Sequence, residues 1–423
     1  MDYTYEQSIG SSHLRLLRPT LVSQQRIAFD LIHVSRAAAP PYTAVSYTWG
    51  NDEPSETIQL DGRAFRVRPN LWSCLYYLSL ASGHARWSYL WVDAICIDQG
   101  NDKERNDQVR RMDQTYRDAT CVSVWLGLIP VPEEYEFAAS HCSPLKTVES
   151  DGFVWEDWLH DLANRAYWSR YWVIQEFLLG KDVQLHCSNT QMDWMDFQEL
   201  LCRNARIEQF GDEHLGVLPD GKAATFAAVP LTLGRHVDKH PEFLQPLANL
   251  LVTHHRSQCK DPRDRVFSLL GLVETDERAL LNRFFPDYTL EENVVWIITL
   301  AHLMQYGSLE NPELKDLTPN SEDIFRGLGI GSKIQRKKLL GQVDMIDYLG
   351  EWRPGELPQI IESHIRDLQL RVNEDEVGVE EIWTEEADCG GTCGTRLLKG
   401  VIIILVIVVS RIMFRDGNIL SFL

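Results

Sequence analysis

The sequence has no apolar run long enough to cross a bilayer, no excess of basic charge, no pair of cysteine motifs at zinc spacing and no internal repeat at a period of 20 to 50 residues. The longest apolar run, Val401 to Val409, lies in a charge-free stretch of 11 residues bounded by Lys399 and Arg411, whereas a spanning helix needs about 20. A membrane span is not expected. The run reads as a buried strand, a short interfacial segment, or sequence foreign to the rest of the chain through a faulty gene model. Lysine and arginine number 41 against 61 acidic residues, a formal charge of −20, which repels phosphate backbones and argues against nucleic acid as a partner. The nine cysteines are odd in number and mostly sit inside apolar runs, and no basic-then-apolar leader opens the chain. A reducing, cytoplasmic location is therefore expected. Cys389-x-x-x-Cys393 lacks a partner pair and His254-His255 would diverge on a helix, so no metal is expected.

What is present is an ordinary globular balance: 423 residues, 44% hydrophobic and 24% charged, enough for two or three domains. Residues 1–39 predict a β extension with one strand pair around His13–Leu17 and Ile27–Leu31, closed by Pro40 and Pro41. From 40 to 190, short apolar runs alternate with helical patterns. This predicts an α/β domain, a mostly parallel sheet covered by helices on both faces. Its strands are expected at Thr43–Thr48, Tyr89–Ile97, Cys121–Leu126 and Asp182–His186, and its helices at Asn70–Leu80 and Lys103–Arg117. The segment ETIQLDGRAFRV predicts a small hairpin insertion turning at Asp61-Gly62. Residues 191–315 read as mainly helical, with DPRDRVFSLLGL as landmark, where Asp261 can cap a helix started by Pro262. Residues 316–423 are poorly defined and acidic: between Val372 and Cys389 there are eight carboxylates and no basic residue, a solvated, mobile pattern.

Three places concentrate chemistry. YTAVSYTWGND presents Ser46, Tyr47, Thr48, Trp49 and Gly50 at the carboxyl end of a strand, where open α/β sheets bind ligands. An aromatic ring beside small hydroxyls can stack on a base and hydrogen-bond a ribose or phosphate; core packing of Trp49 is the competing reading. No Gly-x-Gly-x-x-Gly and no phosphate-loop lysine follows, which disfavours a dinucleotide fold of the usual kind or a nucleoside triphosphatase. The strand YLWVDAICID carries Asp93 midway and Asp98 at its end. Asp98 either borders the crevice or closes an Asx turn, and Asp93 either works there or anchors the structure. Finally, AYWSRYWVIQEFLLG predicts an aromatic-rich helix ending at a Gly180 cap. On it Trp172 and Glu176 are four apart; Glu176 is either buried among apolar neighbours with a raised pKa or exposed and paired with Arg170 or Lys181. His186-Cys187 lacks an assignable orienting residue for thiol chemistry.

Taken together, PPYTAVSYTWGND, YLWVDAICIDQGNDKERNDQVRRMDQTYRDATCVSVWLG and RAYWSRYWVIQE resemble the fungal heterokaryon incompatibility (HET) domain. LRLLRPT, CKDPRDRVFSLLGL and FPDYT resemble its usual flanks, so the resemblance covers roughly residues 13 to 305. It implies a nonself-recognition factor that triggers growth arrest or cell death after hyphal fusion, through self-association and an unidentified incompatibility partner protein. HET domains are in turn remotely similar to Toll/interleukin-1 receptor (TIR) domains, which implies a flavodoxin-like α/β fold. Some TIR domains hydrolyse NAD with the glutamate of a Trp-Cys-x-x-Glu helix. Here Trp172 and Glu176 keep that spacing while Val173 stands in place of the cysteine, and Val45-Ser46-Tyr47 resembles the first TIR strand. The resemblance thus implies NAD as substrate and Glu176 as the catalytic carboxylate. Trp172 lies in the same motif, Trp49 or Tyr47 would stack on a ring next to Gly50, and Ser46 or Asp98 would hold ribose hydroxyls. A non-enzymatic module acting by assembly is the alternative.

Overall fold

The computed structural model describes residues 2–23, 26–80, 88–128, 155–188, 190–204, 227–228, 231, 244–307, 322–343, 346–353 and 355–366. The chain divides into two compact units, Met1–Pro358 and Gln359–Leu423; of the second, residues 359–366 are helical. The apolar run at 401–409, the acidic stretch and Cys389/Cys393 lie outside the described residues.

The first unit is an α/β structure on a mixed sheet of nine strands followed by a helical region. In chain order the strands are β1 (His13–Ser23), β2 (Arg26–Ser35), β3 (Thr43–Tyr47), β4 (Glu56–Leu60), β5 (Arg63–Val67), β6 (Leu90–Trp91), β7 (Cys121–Trp125), β8 (Val183–Cys187) and β9 (Thr190–Asp193). Their spatial order is β5-β4-β2-β1-β6-β3-β7-β8-β9. The four strands β6, β3, β7 and β8 are mutually parallel. Renumbered by chain position they stand 2-1-3-4, the flavodoxin-like order, whose switch point lies between β3 and β7. Every residue of β3, β7 and β8 is buried, which accounts for their continuous apolar runs.

The N-terminal hairpin joins this sheet where Leu17 pairs with Leu90. It is pinned by Arg15, which is fully buried, ion-paired with the equally buried Glu104, and donates to the Cys96 and Gln7 carbonyls. The β4–β5 turn has Asp61 at φ 50° and Gly62 at φ 75°, the two positive values that a primed hairpin turn requires.

Helix α1 (Pro69–Leu80) buries Leu71, Cys74, Leu75 and Leu78. Two expected elements differ. The strand expected at Tyr89–Ile97 is only Leu90–Trp91, because the chain turns into a short helix α2 (Asp93–Cys96). The helix expected at Lys103–Arg117 breaks at Arg110-Arg111 into α3 (Asp102–Val109) and α4 (Met112–Asp118). Asn101, whose side chain accepts from the Glu104 N–H, caps the first part. After α5 (Trp155–Ala163) come a 3-10 turn (Ala166–Ser169) and α6 (Tyr171–Leu179).

The glycine ending α6 does not adopt a left-handed cap: Gly180 has φ −62°. It is needed for closeness instead, since a Cβ there would lie 2.5 Å from Val122 Cγ2. Beyond β9 and α7 (Trp194–Asn204), the described helices are α8 (Leu247–Thr253), α9 (Asp264–Phe267), α10 (Thr275–Leu281), α11 (Glu292–Gln305), α12 (Glu322–Gly327) and α13 (Lys333–Val343). Asp261 does not cap a helix begun by Pro262. Its carboxylate accepts from the Arg263 N–H and pairs with the Arg263 guanidinium, and α9 starts one residue later. Among the described residues no helix is long and apolar enough to cross a membrane.

Candidate functional site

The parallel order places the carboxyl ends of β3 and β7 side by side, and a cleft of about 340 Å3 opens there. Its floor is stapled by Asn70 at the start of α1, which donates to the Thr48 carbonyl (2.6 Å) and accepts from the Trp125 indole (2.9 Å). Thr48, Ser73, Trp125, Gly127, Arg165 and Tyr167 are among its walls. Gly127, at φ 102°, turns the chain out of β7 in a conformation that a side chain would strain. The volume falls at the lower end of small-molecule pockets, about 300–1,000 Å3.

Beside the cleft lies a buried polar cluster. Ser46 is 1% exposed on a fully buried strand, so its hydroxyl needs partners. It has two: the Glu176 carboxyl, through a short hydrogen bond, and the Tyr167 hydroxyl at 2.8 Å. A hydroxyl has one proton to give. With Ser46 donating to Glu176, Tyr167 donates to Ser46, so the three form a directed chain from the cleft wall to the carboxylate. Tyr116 of α4 reaches the same carboxyl.

Glu176 is 3% exposed. Burial pushes its pKa up to about 7; the Arg170 guanidinium pulls against that rise, the Asp93 carboxyl adds to it, and the hydroxyls of Ser46 and Tyr116 pull against it again. Desolvation, with the Glu176 charge adding to it, also holds the Tyr167 hydroxyl well above the usual phenol range. Arg170, at the start of α6, donates to the Tyr47 carbonyl, and its charge acts on both the Glu176 and the Asp93 carboxyl. Asp93 opens α2 rather than standing mid-strand, its carboxylate accepting from the Trp49 indole (2.9 Å) and from the Ala94 N–H (2.7 Å). Its pKa is raised by burial, against the opposing pull of Arg170 and these donors.

The residues expected in the site therefore divide. Ser46 and Glu176 meet directly. Tyr47 is buried beside them and offers its carbonyl to Arg170, while Trp49 packs under the Arg68 guanidinium (5.4 Å) and bonds Asp93. Gly50, at φ 73°, ends the turn after Trp49. Asp98 closes an Asx turn by accepting from the Gly100 N–H (3.1 Å), and its own N–H donates to Glu104, so it belongs to the Arg15–Glu104 neighbourhood. Trp172 shares a helix with Glu176 but bonds the Asp264 carboxyl. None of these seven residues lines the cleft. Sequence reasoning missed Tyr167, Tyr116 and Asn70. Tyr116 lay on the apolar stripe of its helix and Tyr167 in an aromatic run, signals that do not separate a core ring from a working hydroxyl. Arg170, in sequence only a surface partner for Glu176, bonds the Tyr47 carbonyl instead.

Residues 42–176 match the family model described as Heterokaryon incompatibility protein (HET). Heterokaryon incompatibility protein 6, OR allele, of Neurospora crassa is 26% identical over 356 residues, 68% of this chain and 51% of that protein. Vegetative incompatibility protein HET-E-1 of Podospora anserina is 25% identical over 147 residues, 34% of this chain and 10% of that protein. The chain thus spans about half the length of the first relative and a tenth of the second. No solved structure matches it. Residues 42–176 of the α/β unit thus match the HET family model, and both relatives the chain is similar to are fungal incompatibility proteins.

Proposed function

We propose that the chain is a fungal incompatibility factor whose activation leads to growth arrest or programmed cell death, and that the cleft at the β3–β7 switch point hydrolyses NAD with Glu176 as the working carboxyl. The observation that carries this reading is the hydrogen-bonded chain Tyr167–Ser46–Glu176, which links the cleft wall to a carboxyl held near neutrality. Cleaving NAD breaks the bond between ribose C1′ and the pyridinium nitrogen. The bonding pair leaves with neutral nicotinamide, so no general acid is required. Water adds to the oxocarbenium-like carbon and must lose a proton, and a general base is most useful with a pKa near the working pH. Tyr167 can take that proton while passing its own to Ser46, and Ser46 in turn to Glu176. Arg165, in the cleft wall, offers a cation for a phosphate. The protein works in the cytoplasm, is activated by self-association and answers to an incompatibility partner protein.

A second reading, a non-enzymatic module that signals by assembly, is favoured by one observation: Glu176 is 3% exposed and does not line the cleft. Overexpression in a fungal host separates the two. The hydrolase reading requires Glu176→Gln to abolish arrest with the chain folded and its self-association intact; arrest that persists in the variant selects assembly.

A further inference from the structure

Helix α6 carries Glu176 against β3 on one side and is gripped along successive turns on the other by the helical region. At its start, Arg170 and Gln258 form a parallel bridge, with the Tyr171 N–H donating to the Gln258 carbonyl (3.0 Å) and the Gln258 N–H to the Ser169 carbonyl. Next, the Tyr171 hydroxyl donates to the Gly327 carbonyl (2.9 Å) while the Arg265 guanidinium lies 5.1 Å from its ring. Trp172 bonds Asp264, whose carboxyl also accepts from Tyr288 (2.6 Å). One turn later Gln175, buried, meets Gly271 so closely that a Cβ there would stand 2.6 Å from its Oε1 and 2.5 Å from Asp113 Cβ. The neighbouring α4 is held likewise: Arg278 pairs with Asp113 at 2.7 Å and Arg117 donates to the Gly271 carbonyl. The grip also reaches the turn bearing Tyr167, because Gln258 bonds Ser169.

We propose that residues 245–307 and 322–329 form an internal clamp that holds α6 shut over Glu176, and that the protein is switched on when this clamp withdraws from α6. In the clamped chain Glu176 reaches the cleft only through Ser46 and Tyr167; it can touch a ligand itself only if α6 or the Tyr167 turn moves, and each is fastened to the same segment. Arg263 pairs with Asp261 of its own segment, while Arg265 reaches α6 through the Tyr171 hydroxyl and α12 through the Gly327 carbonyl. The proposal rests on Glu176 as the working carboxyl only for what opening releases.

The test is amide hydrogen exchange on the full chain, comparing the parent with Gly271→Ala, which wedges the clamp from Gln175 and Asp113, and with Arg278→Ala, which cuts the Asp113 pair. Exchange of residues 171–179 should rise about tenfold in each variant while β3 and β7 stay within about twofold of the parent, the mark of a local opening rather than global destabilisation. Unchanged exchange in 171–179, or an equal rise across β3 and β7, overturns the clamp. Nicotinamide release is read in parallel. Opening of α6 with no release of nicotinamide leaves the clamp standing and counts against the hydrolase reading, so the two claims fail separately.

Discussion

Glu176→Gln should abolish a specific part of the pH dependence of stability. In the folded chain the carboxyl holds its proton up to about pH 7, whereas its ordinary value is 4.5. Between those values the folded chain binds a proton that the unfolded chain has released, so stability falls as pH rises through the window, and the loss is complete above pH 7. Holding a proton from 4.5 up to about 7 corresponds to on the order of 3 kcal/mol at roughly 1.4 kcal/mol per pH unit. The carboxyl is 3% exposed, so solvent screening does not reduce this much. Glutamine keeps the shape and can accept from Ser46 while the tyrosine hydroxyls rotate to accept from its amide. The variant should match the parent within about 1 kcal/mol at pH 5 and exceed it by about 3 kcal/mol at pH 8. Asp264, raised to about 6, and Asp93 tilt the parent in the same direction. The difference between parent and variant isolates Glu176. Because a chain of two units need not unfold in one step, the quantity to follow is the opening free energy of the α6 amides, corrected for intrinsic exchange rates. A parent–variant difference that stays flat from pH 5 to 8 would refute a buried carboxyl near neutrality.

Other consequences are more local. Arg15→Met alone leaves the fully buried Glu104 carboxylate without its cation and should cost about 3–5 kcal/mol, whereas adding Glu104→Leu removes that charge but orphans the Ile9 and Asp98 N–H groups and should recover only part of the loss; denaturant midpoints distinguish the cases. Gly180→Ala drives a methyl into Val122 and should lower stability by about 1–3 kcal/mol, seen as a drop in thermal midpoint. Tyr288→Phe removes a donor to Asp264. The loss should be about 1–3 kcal/mol at pH 8, and smaller at pH 5, where Asp264, with its pKa near 6, is protonated; urea unfolding at the two pH values checks the sign.

Much of the parallel core was legible because β3, β7 and β8 are buried on both faces and so announce themselves as apolar runs, and because Asp61-Gly62 is the chemistry of one turn type. The strand at 89–97 misled for a physical reason: Val92, Ile95, Cys96 and Ile97 are apolar because a short helix packs them inward, and periodicity cannot tell four such residues from a strand. The single helix drawn over 103–117 shows no proline or glycine at its break, so nothing in its local sequence marked Arg110-Arg111. In the site, Glu176 was legible from its apolar company, and its bond to Ser46 follows from two separated motifs meeting in space. Asp98 and Trp172 went elsewhere because their partners, Gly100 and Asp264, are set by loop geometry and by a segment some 90 residues away. The Tyr167 link and the cleft at Asn70 and Arg165 depend on which strand ends become neighbours, which only the sheet order decides.

The most direct test of the account is nicotinamide release from NAD by the purified full-length chain at pH 7, concentrated to promote self-association, alongside Glu176→Gln and Ser46→Ala. The account predicts release by the parent, loss of release in Glu176→Gln, and a marked reduction in Ser46→Ala, with all three chains folded. Equal release by parent and Glu176→Gln, or none from either the parent or the Gly271→Ala chain with its opened α6, would contradict it.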